Sequence, residues 1–377
     1  MLRQGQSKKF LREAITKYYG LRILKEPHFL PKREIAIQPI DSKTYVRHLQ
    51  FPSMIKLYEY INDNPPLHLY YSVALYENPS SRDMESKGLI KADLMFDMDA
   101  DHYSGCRDAV SICLSCGEVF KDDIKECPKC KSKNISKIPQ LSEQCLRRAW
   151  GDTLILIDIL ENELGAEKIT VSFSGNRGFH IRVEDEHLTI LDRDSRREIV
   201  DYITLSNIMI DRLVPRIGRK KDKAIFFKEH EHGIRARLRD YALQYLDVID
   251  HGHYIEVNYN DLLKLVDLMR IDIDTVVTMD TSRLSRFIYS INGKSGLAVY
   301  ELDPNRDFDY TFSDFRILDG TVTIKPYFTI PQIRILDKEY RLHSGESIRV
   351  DAYIGFYLAI KGLVEVVNTG NLEVRRP

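Results

Sequence analysis

No stretch of this 377-residue chain offers the roughly 18 consecutive apolar residues that cross a bilayer, and its opening, MLRQGQSKKFL, lacks the apolar core of a secretory signal. Membrane insertion and export are therefore not expected, and the cytoplasm is the expected location. Net charge is nearly absent too, at -1, so no global field draws the chain to a polyanion. Any such affinity has to come from local patches. Two stand out: residues 3–25 carry seven Lys or Arg against one Glu, and residues 212–239 carry ten against three acids. Either is equally a solvated helix face. Internal repeats and low-complexity tracts are missing, which argues against a repeat architecture. What remains, at 43% hydrophobic and 29% charged, is a globular chain large enough for two or three substructures.

Cysteine is scarce, six in all, and confined to positions 106–145. Four form Cys113-x2-Cys116 and Cys127-x2-Cys130. Each pair brackets a tight knuckle whose thiolates hold one side of a tetrahedral zinc, and the ten residues between the pairs make a short hairpin. Gly117 and Pro128 supply the turn chemistry. Two disulfides are the structural alternative, disfavoured where thiols are kept reduced. Four thiolates leave no open coordination position, so such a zinc is structural. Cys106 and Cys145 are expected as free, buried or half-buried thiols.

Acidic residues recur at every second position of the run LMFDMDADHY. In a strand, Leu94, Phe96, Met98 and Ala100 point into a core while Asp93, Asp97, Asp99 and Asp101 point the other way. Two residues span roughly 6.6 Å, so alternate carboxylates can lean over a pair of divalent ions about 4 Å apart, as in phosphoryl and nucleotidyl transfer. Oxygen ligands suit Mg2+ or Mn2+. A half-exposed strand with an acidic wet face has the same pattern.

Residues 169–183, ITVSFSGNRGFHIRV, read as strand, turn, strand. Gly175 and Gly178 free the backbone to approach a ligand, and Ser174, Arg177 and His180 supply a hydroxyl, a fork-shaped cation and an imidazole. Such hairpins also occur where no nucleotide binds. In residues 276–297 an apolar run ends at Asp280, Arg283 and Arg286 follow at helical spacing, and Lys294 lies in a Gly-Lys-Ser-Gly turn. One acid and three cations fit a metal and phosphates, or a surface salt-bridge cluster.

Taken in order, DMDAD, the four-cysteine module, SGNRGFH, and the run ending in Asp280 with RLSR and GKSGL behind it resemble the small catalytic subunit of archaeal and eukaryotic DNA primases. REIAIQPIDSKTYVRHLQF and PLHLYYSVALYENP resemble the archaeal members, and the similarity runs through most of residues 1–300. The resemblance implies an α+β fold. It comprises a mixed-sheet catalytic core over residues 1–190 and 273–377, a zinc module inserted at 106–135, and a helical insertion at 191–272. It implies that Asp97, Asp99 and Asp280 hold catalytic Mg2+ or Mn2+, that Cys113, Cys116, Cys127 and Cys130 hold structural Zn2+, and that Ser174, Gly175, Arg177, His180, Arg286 and Lys294 contact the nucleotide. Asn292 stands where the family usually has a phosphate-contacting histidine, Leu75 where many members have arginine, and Ile288 where proline is usual. The implied partners are a large regulatory subunit, a single-stranded DNA template and nucleoside triphosphates. The implied activity is synthesis of short RNA, in some relatives also DNA, without a pre-existing primer. A repair polymerase that only extends primers, and an inactive zinc-module scaffold, are the alternatives.

Local pattern predicts helices over residues 6–20, 53–62, 142–165 with Ser142 as N-cap, and near 352–362. It predicts strands over 33–51, 66–76, 91–99, 276–280 and within 327–350. Residues 193–272 carry helical pattern without strand alternation. Asp280 and the acidic strand are expected as neighbours in one sheet.

Overall fold

The computed structural model describes residues 5–377, so Arg3 of the N-terminal basic patch lies outside the described residues. The middle of the molecule is carried by two four-stranded antiparallel sheets. The strand order is Leu284–Arg286, Pro66–Ser72, Ile35–Pro39, Val46–Leu49 in the first, and Tyr300–Leu302, Ile169–Phe173, Gly178–Val183, Leu94–Asp99 in the second. The acidic strand is thus an edge strand.

Alternation along these strands makes one face of the second sheet wholly apolar. Leu94, Phe96, Met98, Val171, Phe173, Phe179, Ile181 and Val183 are each at most 2% exposed. The helix Glu143–Asp158 packs on them, with Trp150 and Phe179 rings 5.2 Å apart. Each such buried side chain contributes roughly 2 kcal/mol. Ser142 caps this helix as expected, its hydroxyl accepting from the Cys145 amide.

The opposite face looks toward the first sheet. There the Arg182 guanidinium lies 5.2 Å from the centre of the Tyr71 ring, and Arg33 lies 2.9 Å from Asp93. Asp93 is 4% exposed. Contrary to expectation, it does not share an open surface with the other aspartates, because the strand runs from the interior outward and only its C-terminal half reaches a cleft.

Ala109–Cys113, Val119–Phe120 and Ile135–Pro139 form a small sheet bearing the four-cysteine knuckles. Cys106 and Cys145, expected as free thiols, are joined in a disulfide. The first turn of the Ser142-capped helix brings Cys145 against the chain leaving the acidic strand. Near the C-terminus, Leu318–Pro326 pairs with Ile348–Asp351, Val364–Asn368 and Leu372–Val374, and the helix Ala352–Ile360 packs across them. The N-terminal helix Gln6–Gly20 docks there through Phe10 on Phe356, ring centres 6.0 Å apart.

Two further expectations fail. Residues 193–272 are not purely helical: Arg216–Ile217, Lys223–Phe227, Tyr254–Asn258 and Val248–Asp250 form a four-stranded sheet, in that order, backed by the helices Gly233–Tyr245 and Tyr259–Leu268. This unit has its own core, including Phe226, Leu238, Ile255 and Leu262. Its strands are two to five residues long and embedded in basic sequence, too short to display a period. Nor is the run before Asp280 a strand. Asp274 accepts from the Val276 amide and caps a short helix, Thr275–Met279, so Asp280 is not a sheet neighbour of the acidic strand. Among the described residues, no helix is long and apolar enough to cross a membrane.

Candidate active site

The acidic strand lies antiparallel to Gly178–Val183, with His180 opposite Asp97 and Gly178 opposite Asp99. A Cβ at Gly178 would fall 2.1 Å from the Met98 carbonyl oxygen, so only glycine fits at this crossing. Gly175, at φ +74°, packs the turn against Asn292, whose Cβ would lie 2.8 Å from an added Cβ. These glycines therefore bring backbone against protein, where the sequence pattern led one to expect amides offered to a ligand. Ser174 closes the same turn, its amide donating to the Gly178 carbonyl and its hydroxyl accepting from the Gly178 amide. Asn292, 2% exposed, donates from Nδ2 to the Ser174 carbonyl at 2.8 Å and accepts the Lys294 amide at Oδ1. Its side chain locks the hairpin to the Gly-Lys-Ser-Gly turn.

This lock shapes a cleft of about 190 Å3 lined by Asp97, Asp99, Ser174, Arg177, His180, Arg286, Asn292 and Lys294, together with Tyr70, Met95, Asn176, Arg283 and Leu284. Its acidic wall is crowded. Burial, then Asp99 and Asp274, push the Asp97 carboxyl up to about 7, and its Oδ1 has no hydrogen-bond partner. The His180 Nε2 is 3.7 Å away. Burial and the charges of Arg286 and Arg283 push this imidazole down to about 3, which keeps it neutral at ordinary pH.

The basic wall is equally uncompensated. Arg286 is 9% exposed, donates from Nη1 to His68 Nδ1 at 2.9 Å and lies 4.7 Å from the centre of the Tyr70 ring. No carboxylate pairs with it among the described residues, and burial depresses its pKa. Burial, Arg286 and Arg177 likewise lower Lys294. Arg177 joins the walls, 3.2 Å from Asp99 and 2.5 Å from Asp101. Its burial opposes the charge, but these two acids hold its pKa up.

Not every anticipated residue converges here. Asp280 is not among the lining residues; its Oδ1 accepts from the amide and hydroxyl of Ser282, and its charge bears on the Tyr76 phenol. Neither Asp280 nor Asp274 completes a cluster with Asp97 and Asp99 in which ligand atoms all lie within 4.8 Å of one another, whereas those of Asp99, Asp101 and His102 do. The distant acid that reaches Asp97 is Asp274, whose amide donates to the Asp97 carbonyl at 3.1 Å and whose charge raises Asp97. Leu75 lines a separate cavity with Arg33 and Asp93. Arg286 follows strand geometry and not helical spacing, since Leu284–Arg286 pairs with Pro66–Ser72, and Arg283 directly precedes that strand. His68 and Tyr70 lie in the PLHLYYSVALYENP segment, but no role for either follows from it; their place in the site becomes visible only as neighbours of Arg286.

The cysteine cluster fits zinc. Cys113 and Cys130 sulfurs are 3.5 Å apart, Cys116 and Cys127 sulfurs 3.7 Å, and all four lie within 4.8 Å. A tetrahedron with bonds of about 2.3 Å has edges of about 3.8 Å.

Residues 96–304 match the family model described as DNA primase small subunit. The chain is 42% identical over its full length, and that of the relative, to the DNA primase small subunit PriS of Staphylothermus marinus. It is 33% identical to the PriS of Saccharolobus solfataricus over 372 residues, 97% of this chain and of that protein. To the PriS of Aeropyrum pernix it is 32% identical, over 97% of this chain and 95% of the relative.

Proposed function

Since the chain belongs to the DNA primase small-subunit family, we propose that it is the catalytic subunit of a replicative primase and that the cleft between the two sheets joins nucleotides on a single-stranded DNA template. One observation carries this reading: a buried guanidinium without an acid, Arg286, shares a small cleft with a carboxylate oxygen without a donor, on Asp97. Unmatched charge of both signs in one cavity suits a ligand that bears both, and a metal-bound triphosphate is such a ligand.

Asp97 and Asp99 are the first two metal ligands in this reading, and for the third acid the reading favours Asp274, whose charge reaches Asp97, over the Asp280 that the resemblance implied. Divalent Mg2+ or Mn2+, when bound, neutralises the polyphosphate and lowers the pKa of the attacking 3'-hydroxyl. Arg286 and Lys294 receive the phosphate oxygens, and their fixed charges stabilise the leaving pyrophosphate without reorganising. His68 and Tyr70 hold the Arg286 fork in place. Neutral His180 can donate one hydrogen bond, and Arg177 can exchange Asp101 for a phosphate. Asn292 fixes the two loops and leaves phosphate contact to its neighbours. Starting from two free nucleotides orders more groups than extending a primer, so initiation is the slow step. Cys113, Cys116, Cys127 and Cys130 hold a structural zinc. A large regulatory subunit completes the enzyme, which works on chromosomal DNA in the cytoplasm.

Incubation with single-stranded template and labelled nucleotides, with and without a primer, tests the reading. Products in both reactions are expected. Products only with a primer would make the chain an extending polymerase, and none in either would make it a scaffold.

A further inference from the structure

The fold treats the two basic stretches differently. In the N-terminal one charge is largely cancelled: Lys8 and Arg12 both sit on Asp41, Lys25 on Glu301, and Lys9 faces Glu13. In the second, Lys223, Lys228, Arg235, Arg237 and Arg239 also find carboxylates. Arg219, Lys220 and Lys221 do not. They are exposed, pair with no acid among the described residues, and form the turn between Arg216–Ile217 and Lys223–Phe227.

That turn rims the outer face of the small sheet. The inner face is closed, since Ala224, Phe226, Ile255 and Val257 pack with Leu238, Ala242, Leu262 and Leu265 of the two helices. Alternation therefore puts Lys223, Ile225 and Phe227 on the outer face, directly opposite Asn258, Glu256 and Tyr254. Phe227 is 48% exposed, and Ile249, opposite Glu256 on the edge strand, is 55% exposed. His251 stacks on Tyr254 with ring centres 4.6 Å apart. Both central strands thus present an aromatic ring on this face, about 20 Å from Lys221 of the cationic turn at roughly 3.3 Å per residue over six residues.

Rings that accept any base face, beside cations that accept a phosphate backbone, are the parts of a sequence-tolerant platform for single-stranded nucleic acid. Resting on the reading of the chain as template-directed, we propose that this outer sheet face binds single-stranded DNA template outside the active-site cleft, through Phe227 and Tyr254 with Arg219, Lys220 and Lys221. A primer-maker cannot depend on one sequence, and stacking plus phosphate contact imposes none.

The test is anisotropy titration of the full chain with labelled oligo(dT) at several salt concentrations. The triple variant Arg219→Ala, Lys220→Ala, Lys221→Ala is expected to bind about tenfold more weakly, its log affinity falling less steeply with log salt by about 2, near 0.7 per lost contact. Phe227→Leu keeps apolar bulk but no ring; it is expected to bind about fivefold more weakly or worse with the salt slope unchanged. Wild-type affinity in both variants, with unaltered melting, overturns the proposal. So does wild-type affinity accompanied by loss of a large regulatory subunit from the complex, which would mark the face as a protein interface. Asp97→Asn separates the two readings: it should keep oligonucleotide affinity while losing incorporation, and retained incorporation counts against the cleft, not against this face.

Discussion

Asp93, the residue just before the acidic strand, and Asp97, within it, are handled by the fold in opposite ways. Asp93 faces Arg33 at 2.9 and 3.2 Å, with Arg182 at 3.9 Å, and Glu184 completes the balance beside Arg182. Charges of opposite sign meet there and tie the two sheets together, although burial still pushes the Asp93 carboxyl up to about 6. At Asp97 acid faces acid in Asp99 and Asp274, with Arg177 bound to Asp99 and Asp101 and not to Asp97, while Arg286 is held by a neutral imidazole and a phenol ring. A buried pair left intact holds a fold, whereas buried charges left unmatched cost stability and are retained where a ligand completes them.

Exchanging the third acid gives the largest effect that sharpens this contrast. Asp274→Asn is expected to lower nucleotide incorporation by about a hundredfold, as expected of a lost metal-facing charge, and Asp280→Asn by under about threefold. The reverse ranking in a primed extension assay would restore Asp280 to the metal site. Arg286→Gln should raise the nucleotide KM by about thirtyfold, the scale of a lost charge-assisted contact, while melting temperature holds or rises because an uncompensated guanidinium has left the interior. A fall in melting temperature would place Arg286 with the structural charges.

Asp93→Ala should do the converse. Arg33, 1% exposed, would be left buried without its acid, and urea titration should register a loss of about 3 kcal/mol. Stability within about 0.5 kcal/mol of wild type would dissolve the distinction between the two ends of the strand. The last test is in pH, read as a slope and not as a loss at one condition. Burial, with Arg286 and Lys294, holds His68 down to about 3 in the folded chain, against an ordinary 6.5. Below about 6.5 the unfolded chain takes up a proton that the folded one refuses. Stability from this group is therefore full above that pH and lost progressively down to about 3, at up to about 1.4 kcal/mol per pH unit. His68→Gln should flatten the acid limb of the stability curve by this amount, and an unchanged slope would mean that the imidazole is solvated.

Strong periods and capping chemistry made much of this legible in the sequence. The alternation of Leu94, Phe96 and Met98 against the aspartates, the Ser142 cap and the SGNRG hairpin all stand where local pattern put them. Where β-branched residues spoke for a strand, at Val276 and Val277, the Asp274 cap overrode propensity and started a helix. The same helix puts Asp274 at its start, with its amide on the Asp97 carbonyl, and Asp280 at its end, where its carboxylate accepts from Ser282. Short strands such as Arg216–Ile217 and Val248–Asp250 carry too few residues to show a period, and they form only because Tyr254–Asn258 and Lys223–Phe227 lie between them. His68 was hidden for a different reason. Its role is defined wholly by a partner, Arg286, that is remote in the chain.

The most direct test of the cleft is template-directed incorporation by Asp97→Asn, with melting measured on the same sample. A loss of about a thousandfold, or some 4 kcal/mol of transition-state stabilisation, with unchanged or raised melting temperature is predicted. Activity at about a tenth of wild type or more, a cost of only about 1.4 kcal/mol, would contradict the assignment of Asp97 and with it the catalytic role of the cleft.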